Sequence, residues 1–178
     1  MKDYKTIQQI CQNNQKISRE VIDEFLLYYA ADREKLDPQM NRQLAKYRHI
    51  TSMFDSKWVN MIKAQYIAHK IFRKDGYIKK FLNHSRIKDL SSEKRNYLNH
   101  HTNHPWRFSF SIITGNPEEH FFEMEDVFRQ ESFLLYSPGM ADLQEKNQPL
   151  MWFNLIAYNG ECWETYGPIH YLKGFEPD

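Results

Sequence analysis

The sequence predicts an α+β protein: an N-terminal helical half packed against a C-terminal antiparallel sheet of about five strands, strongly curled or barrel-like. Three observations predict it. Apolar residues recur at three and four positions through residue 104, then at two from Pro105 onward, so the helical period gives way to the strand period. Backbone punctuation changes at the same place, since Gly76 and Pro38 alone precede Pro105 while five glycines and six prolines lie from there on. Charge changes with it: residues 1–104 carry 20 Lys+Arg against 11 Asp+Glu, and residues 105–178 carry 4 against 12.

In the basic half, Ile7, Ile10 and Cys11 fit a short first helix. A break follows at Asn14-Gln15, and Ser18 reads as the N-cap of a second helix with Val21, Ile22, Phe25, Leu26 and Tyr29 on one face. The pair has the outline of a helix-turn-helix, although it lacks the turn glycine and sets Asp23 and Glu24 where phosphate would lie, which favours a helical hairpin packed into the core. Asp37-Pro38 is a start signal, a capping carboxylate before a residue with no amide hydrogen. Met40, Leu44, Tyr47, Ile50 and Phe54 keep helical spacing beyond it. Asp55-Ser56 either caps a new helix or lies within a continuous one that runs through Trp58, Ile62, Tyr66 and Ile67 to Phe72, where Gly76 supplies a left-handed stop. Shorter helices are predicted over 77–84 and 92–100.

In the acidic half, Trp106, Phe108, Phe110 and Ile112 alternate with Arg107, Ser109 and Ser111, the pattern of a half-buried strand with its aromatic side inward. Gly115-Asn116-Pro117 is read as a turn, 121–127 as a second strand with Glu123 and Glu125 in water, and 133–136 as a third. Residues 140–148 read as a polar loop or one helical turn. Asn159-Gly160 predicts a type I′ hairpin between 150–158 and 161–166, and a last strand follows Gly167-Pro168 over 169–175. Apolar side chains occur on both faces of some strands, so the sheet must curl or cover one face with helices. That argues for a single unit made of the two regions, 1–104 and 105–178.

Composition narrows function. With 178 residues, 27 aromatics and 41% hydrophobic content, the chain is long and apolar enough to bury a core, which argues against disorder. No apolar run approaches the ~20 residues of a membrane span, and Met1-Lys2-Asp3-Tyr4-Lys5 leads into polar helix, so no membrane partner is expected and the cytoplasm is the default compartment. Cys11 and Cys162 are too far apart for metal-ligand spacing and read as reduced, packed thiols. A phosphate-cradling glycine loop, a G-x-S-x-G and a Cys-x-x-Cys are all missing from the sequence.

The remaining chemistry is sparse. His100 and His104 lie four apart, with His101 and His84 near, and imidazoles at that spacing can hold zinc; no other cofactor is expected. The alternative is a polar helix end. Cys162 and His170 in neighbouring strands would make a thiolate–imidazole pair, against which Cys162 lies mid-strand, away from a helix N-terminus that would activate it. The acidic run from Glu118 to Asp126 has the alternation of a solvated strand. Lys63, Lys70 and Lys74, interleaved with Tyr66 and Tyr77, form a possible nucleic-acid face or an ordinary solvated helix surface.

Met124-Glu125-Asp126-Val127, then Glu131 to Tyr136, then the hairpin with Gly160 and Tyr166-Gly167-Pro168 give residues 121–175 a pattern that resembles the small β modules of uncharacterised bacterial proteins associated with SEC-C motifs. The resemblance implies a compact β module and no activity. The Cys-rich metal motif that names those proteins is absent, so no metal site carries over.

The reading is therefore a bacterial-type intracellular module that binds a protein partner, a ligand or a second copy of itself. One alternative is a nucleic-acid-binding protein acting through Lys63, Lys70 and Lys74. Another is a hydrolase or metal-dependent enzyme with its site near His100 and His104, which leaves open whether the protein is an enzyme.

Overall fold

The computed structural model describes residues 3–147 and 149–173. The chain divides into two compact units, residues 14–105 and residues 1–13 with 106–178. The first thirteen residues thus group with the sheet.

The Asp3 carboxylate accepts from the Thr6 amide at 3.2 Å and the Thr6 hydroxyl at 2.6 Å, which starts α1 (Tyr4–Ser18). Contrary to the sequence reading, Ser18 caps nothing. It has helical φ and ψ of −55° and −48°, and α1 runs on into a π-helical segment (Arg19–Leu26) and then α2 (Leu27–Arg33). The helix-turn-helix outline disappears with the turn. Val21, Ile22, Leu26 and Ala30 are all buried, and the wide turn, in which the Leu27 amide donates to the Ile22 carbonyl, keeps them on one side.

Further along the helical unit, α3 (Leu36–Lys46) begins before Asp37-Pro38, with Lys35 left-handed at φ 52° and buried Leu36 leading. Pro38 still lies in the first turn, where amides have no helical partner to lose. The chain then breaks at Tyr47 into the short α4 (Arg48–Thr51), so the regular spacing from Met40 to Phe54 does not become one buried face; Tyr47, Ile50 and Phe54 are exposed. Asp55 resolves the next ambiguity as a cap, accepting from the Trp58 amide at 2.7 Å to start α5 (Ser56–Phe72). At its end the left-handed residue is Asp75, φ 58°, and not Gly76. Gly76 is needed for a different reason: a Cβ there would lie 2.4 Å from the Ile71 carbonyl oxygen. Short helices α6 (Ile78–Phe81) and α7 (Ser85–Lys88) lead to α8 (Ser92–Asn103), which stops before Pro105. Ile67, Ile71, Phe72, Phe81 and Leu98 are among the buried side chains of this unit.

In the other unit, β1 (Arg107–Glu118), β2 (Phe121–Asp126), β3 (Glu131–Tyr136), β4 (Met151–Tyr158) and β5 (Trp163–Leu172) close into a barrel in the order β1-β2-β3-β5-β4. The predicted curl into a small barrel is what forms, with one correction. The sheet is mixed, because Leu135 and Tyr136 of β3 pair in parallel with Trp163 and Glu164 of β5, while the other pairings are antiparallel. The reason is parity: strand directions cannot alternate all the way round a ring with an odd number of strands.

Local differences follow the turn chemistry. Gly115 is a bulge inside β1, not a turn, and a Cβ there would lie 2.6 Å from Glu123 Oε2; the chain reverses at Glu119-His120, with His120 at φ 66°. The expected type I′ turn is absent, since Gly160 has a positive φ of 106° but Asn159 does not. Asn159 instead folds a four-residue loop, its Oδ1 accepting from the Glu161 and Cys162 amides at 2.9 Å each while its own amide donates to the Cys162 carbonyl. Gly167, at φ 76°, lets β5 pass through Gly167-Pro168 as one strand. Where a polar loop or one helical turn was expected, the ten-residue helix α9 (Pro138–Asn147) forms. Gln148 and the predicted strand end at 174–175 lie outside the described residues.

The barrel interior holds Phe122, Met124, Leu135, Trp152 and Ile156, with Met140 of α9 in the same cluster. On the outside, Ile7 and Cys11 of α1 pack with Phe121, Leu134, Tyr136 and Cys162 in a second buried cluster.

Candidate functional site

Strand β1 alternates as predicted but faces the other way. Ser109 and Ser111 are buried at 1% and 3% exposure, while Phe110 and Ile112 are 36% and 37% exposed. Register explains the inversion: Ser111 pairs with Trp152 and Ser109 with Asn154, both pointing into a barrel too narrow for large side chains on facing strands. Trp152 takes the volume, so β1 must supply small residues inside and place its aromatics outside.

The outward result is a row of rings. Phe110 stacks on Phe153 at 4.3 Å between centroids, Phe108 also stacks on Phe153 at 5.0 Å, and Phe128 meets Phe110 edge-on at 5.1 Å. Phe128 is 74% exposed, with Val127 beside it at 42%.

A buried carboxylate holds the end of this row. Asp126 Oδ1 accepts from the Phe128 and Arg129 amides at 3.1 and 3.0 Å, which shapes the β2–β3 turn and fixes Phe128 against Phe110. Its Oδ2 accepts from the Ser109 hydroxyl at 2.8 Å and faces Arg107 Nη1 at 3.8 Å. Arg107 also pairs with Glu131 at 2.8 Å and lies over the Trp163 ring at 4.7 Å. Sequence alternation marks Asp126 as inward, yet only the pairing of Ser111 with Asp126 shows that Ser109 and Arg107 reach it.

A second constellation lies under α1. Cys11 Sγ and Cys162 Sγ are 3.6 Å apart, both free and buried. Asn159 Nδ2 donates to Cys11 Sγ at 3.2 Å, to Cys162 Sγ at 3.6 Å and to Glu164 Oε1 at 2.7 Å. The hydrogen bond to Cys162 and then burial push the Cys11 thiol far up, so it keeps its proton. Burial likewise raises the nearby Tyr136 phenol. A sequence separation of 151 residues gave no signal of this meeting.

The candidate pair of Cys162 and His170, which the sequence disfavours, does not form. Cys162 lies just before β5 and His170 eight residues on, roughly 25 Å along an extended strand. The His170 ring packs on Phe153 at 5.9 Å, and burial lowers its pKa.

Among the predicted residues of the helical unit, His100 and His104 do come together, but as stacked rings 4.2 Å apart and 17° from parallel. His104 Nδ1 lies 3.1 Å from the His100 carbonyl oxygen, which places a proton on that nitrogen. His101 is a core residue against Tyr97 and Phe72, and burial lowers its pKa to about 3. His84 caps α7, accepting from the Arg86 amide, and packs against Tyr29. Among the described residues, no group of three or more His, Cys, Asp or Glu side chains is arranged to hold a metal ion. Lys63 and Lys70 share a face of α5, two turns apart, with Lys70 over the Tyr66 ring at 5.2 Å. Lys74 leaves that face, because the helix ends at Phe72 and Arg73 is extended. Lys80 and Lys94 pair with Glu34 and Glu20. Among the described residues no helix is long and apolar enough to cross a membrane.

A scan of protein-family models, a search of curated proteins and a search of solved structures each find no match to this chain.

Proposed function

We propose that this protein is an interaction module whose barrel presents the Phe108–Phe153–Phe110–Phe128 row to a protein partner. The supporting observation is the inverted facing of β1, which leaves four rings joined by three contacts on the outside, with Phe128 74% and Phe110 36% exposed. Scattered exposed apolar residues are ordinary, whereas contiguous aromatics are characteristic of the buried centre of an interface. The unit carries 6 Lys+Arg against 13 Asp+Glu, which favours a partner with basic residues flanking an apolar anchor and disfavours phosphate on this face.

The test uses aromatic-anchored peptides with basic flanks, acidic-flanked versions, and the whole chain beside Phe128→Ser. Basic-flanked peptides are expected to bind at micromolar levels, with at least a tenfold loss in Phe128→Ser. Equal binding by the variant, or none to either peptide class with no self-association, overturns the reading.

Nucleic-acid binding is the second reading. It is favoured by 18 Lys+Arg against 10 Asp+Glu in the helical unit and by the adjacency of Lys70 and Tyr66. Single-stranded RNA or DNA should then bind with affinity that falls steeply with salt and falls again in a variant lacking Lys63 and Lys70. Absence of binding at low ionic strength removes it.

A further inference from the structure

We infer that Cys11 and Cys162 are an oxidisable dithiol, a modification site that closes to an intramolecular disulfide and pins α1 to the barrel. The argument is geometric. The two cysteines of the chain, 151 residues apart, meet with their sulfurs at 3.6 Å, so bonding at about 2.05 Å needs an approach of roughly 1.5 Å. Their surroundings are unusual for inert core thiols, because an amide that faces both sulfurs is itself anchored by Glu164 and by the loop it folds. Cys11 rides on α1, which meets the barrel through Tyr4 and Ile7 as well as Cys11 itself. Cys162 ends a loop whose Gly160 and Glu161 are exposed, so opening of that loop admits a small oxidant.

With hydrogen peroxide as oxidant, the steps balance. The Cys162 thiolate attacks one peroxide oxygen, the O–O bond breaks, and the departing hydroxide takes a proton to leave as water, giving a sulfenic acid. The Cys11 thiol attacks the sulfenic sulfur; the S–S bond forms, the S–O bond breaks, and a second water leaves with the thiol proton. Two thiols and one peroxide give one disulfide and two waters. The Asn159 amide stays in place as a donor to sulfur throughout.

The test treats the whole native chain with peroxide, then unfolds it in the presence of an alkylating agent and weighs it. The expected product is about 2 Da lighter than the reduced chain, takes up no alkyl group, and regains two alkylatable thiols on reduction. Peptide mapping should join the segments around Cys11 and Cys162. Cys11→Ser should stop at a sulfenic acid on Cys162 that dimedone traps. Oxidation in urea should be at least about tenfold slower than in the native chain, because the long loop must then close by chance. Two alkyl groups on the peroxide-treated native chain, a disulfide found only between two chains, or equal rates in urea and in the native state would overturn the inference.

Discussion

Ser111 stands opposite Trp152 across β1 and β4, both pointing into the barrel and both all but excluded from solvent. This pairing of the smallest hydroxyl with the largest ring sets the direction of the whole strand. Ser111→Phe forces a second aromatic into the same layer and should cost about 1–3 kcal/mol. Ser111→Ala keeps the volume and should stay within about 0.5–1 kcal/mol of the parent. Urea unfolding followed by tryptophan fluorescence distinguishes them, and equal losses would show that volume is not the constraint.

Asp126 ties the interior to the exposed ring row. Asp126→Ala strands the Ser109 hydroxyl, removes one of the two carboxylates that face Arg107 and frees the Phe128 and Arg129 amides, for an expected loss of about 3 kcal/mol. Asp126→Asn keeps an acceptor for the turn and should lose about half as much. The same urea titration reads both, and an Asp126→Asn variant as stable as the parent would show that the charge facing Arg107 contributes nothing.

His101 makes the helical unit acid-sensitive. Burial lowers its pKa from 6.5 to about 3, and burial lowers that of His69 to about 4. Both fold as neutral imidazoles, so their stabilisation is complete above pH about 6.5 and drains away as pH falls toward 3–4, where the unfolded chain binds protons that the folded one does not. Each group adds a slope of at most about 1.4 kcal/mol per pH unit in that window. Helical signal against urea at pH 7 and pH 5 should show the loss, with a shallower dependence in His101→Gln. Identical slopes would place the acid sensitivity elsewhere.

Asp75 and Gly76 are adjacent and should respond in opposite directions. Gly76→Ala drives a Cβ against three carbonyl oxygens at 2.4–2.8 Å and should destabilise by about 2–3 kcal/mol. Asp75→Gly relieves a left-handed side-chain residue and should be neutral or stabilising by up to about 1 kcal/mol. Melting temperatures of the two variants check the signs.

Much of this architecture was legible in the residues. The change of period at Pro105 separated helices from strands, Asp55-Ser56 was one of two readings for the start of α5, and Glu123 and Glu125 were assigned correctly to water. Those features are local, set by capping chemistry and side-chain alternation. Other features depended on neighbours distant in sequence. Gly115-Asn116-Pro117 looked like a turn, but Glu123 across the ladder makes Gly115 a bulge. Asn159-Gly160 looked like a two-residue hairpin, but the Asn159 side chain bonds the following amides and widens it.

By itself, then, the sequence determined the class of fold, the places where its period changes, and the charge contrast, because these follow from residue type and spacing alone. The tertiary structure decided which side of β1 is inside, why one strand pair runs parallel, and that Cys11 meets Cys162. Alternation specifies two faces without naming the inner one; that choice belongs to the volume of Trp152 in a closed five-stranded ring. Contact between residues 151 apart is a property of the closed barrel and of the helix laid against it, and no local pattern encodes it.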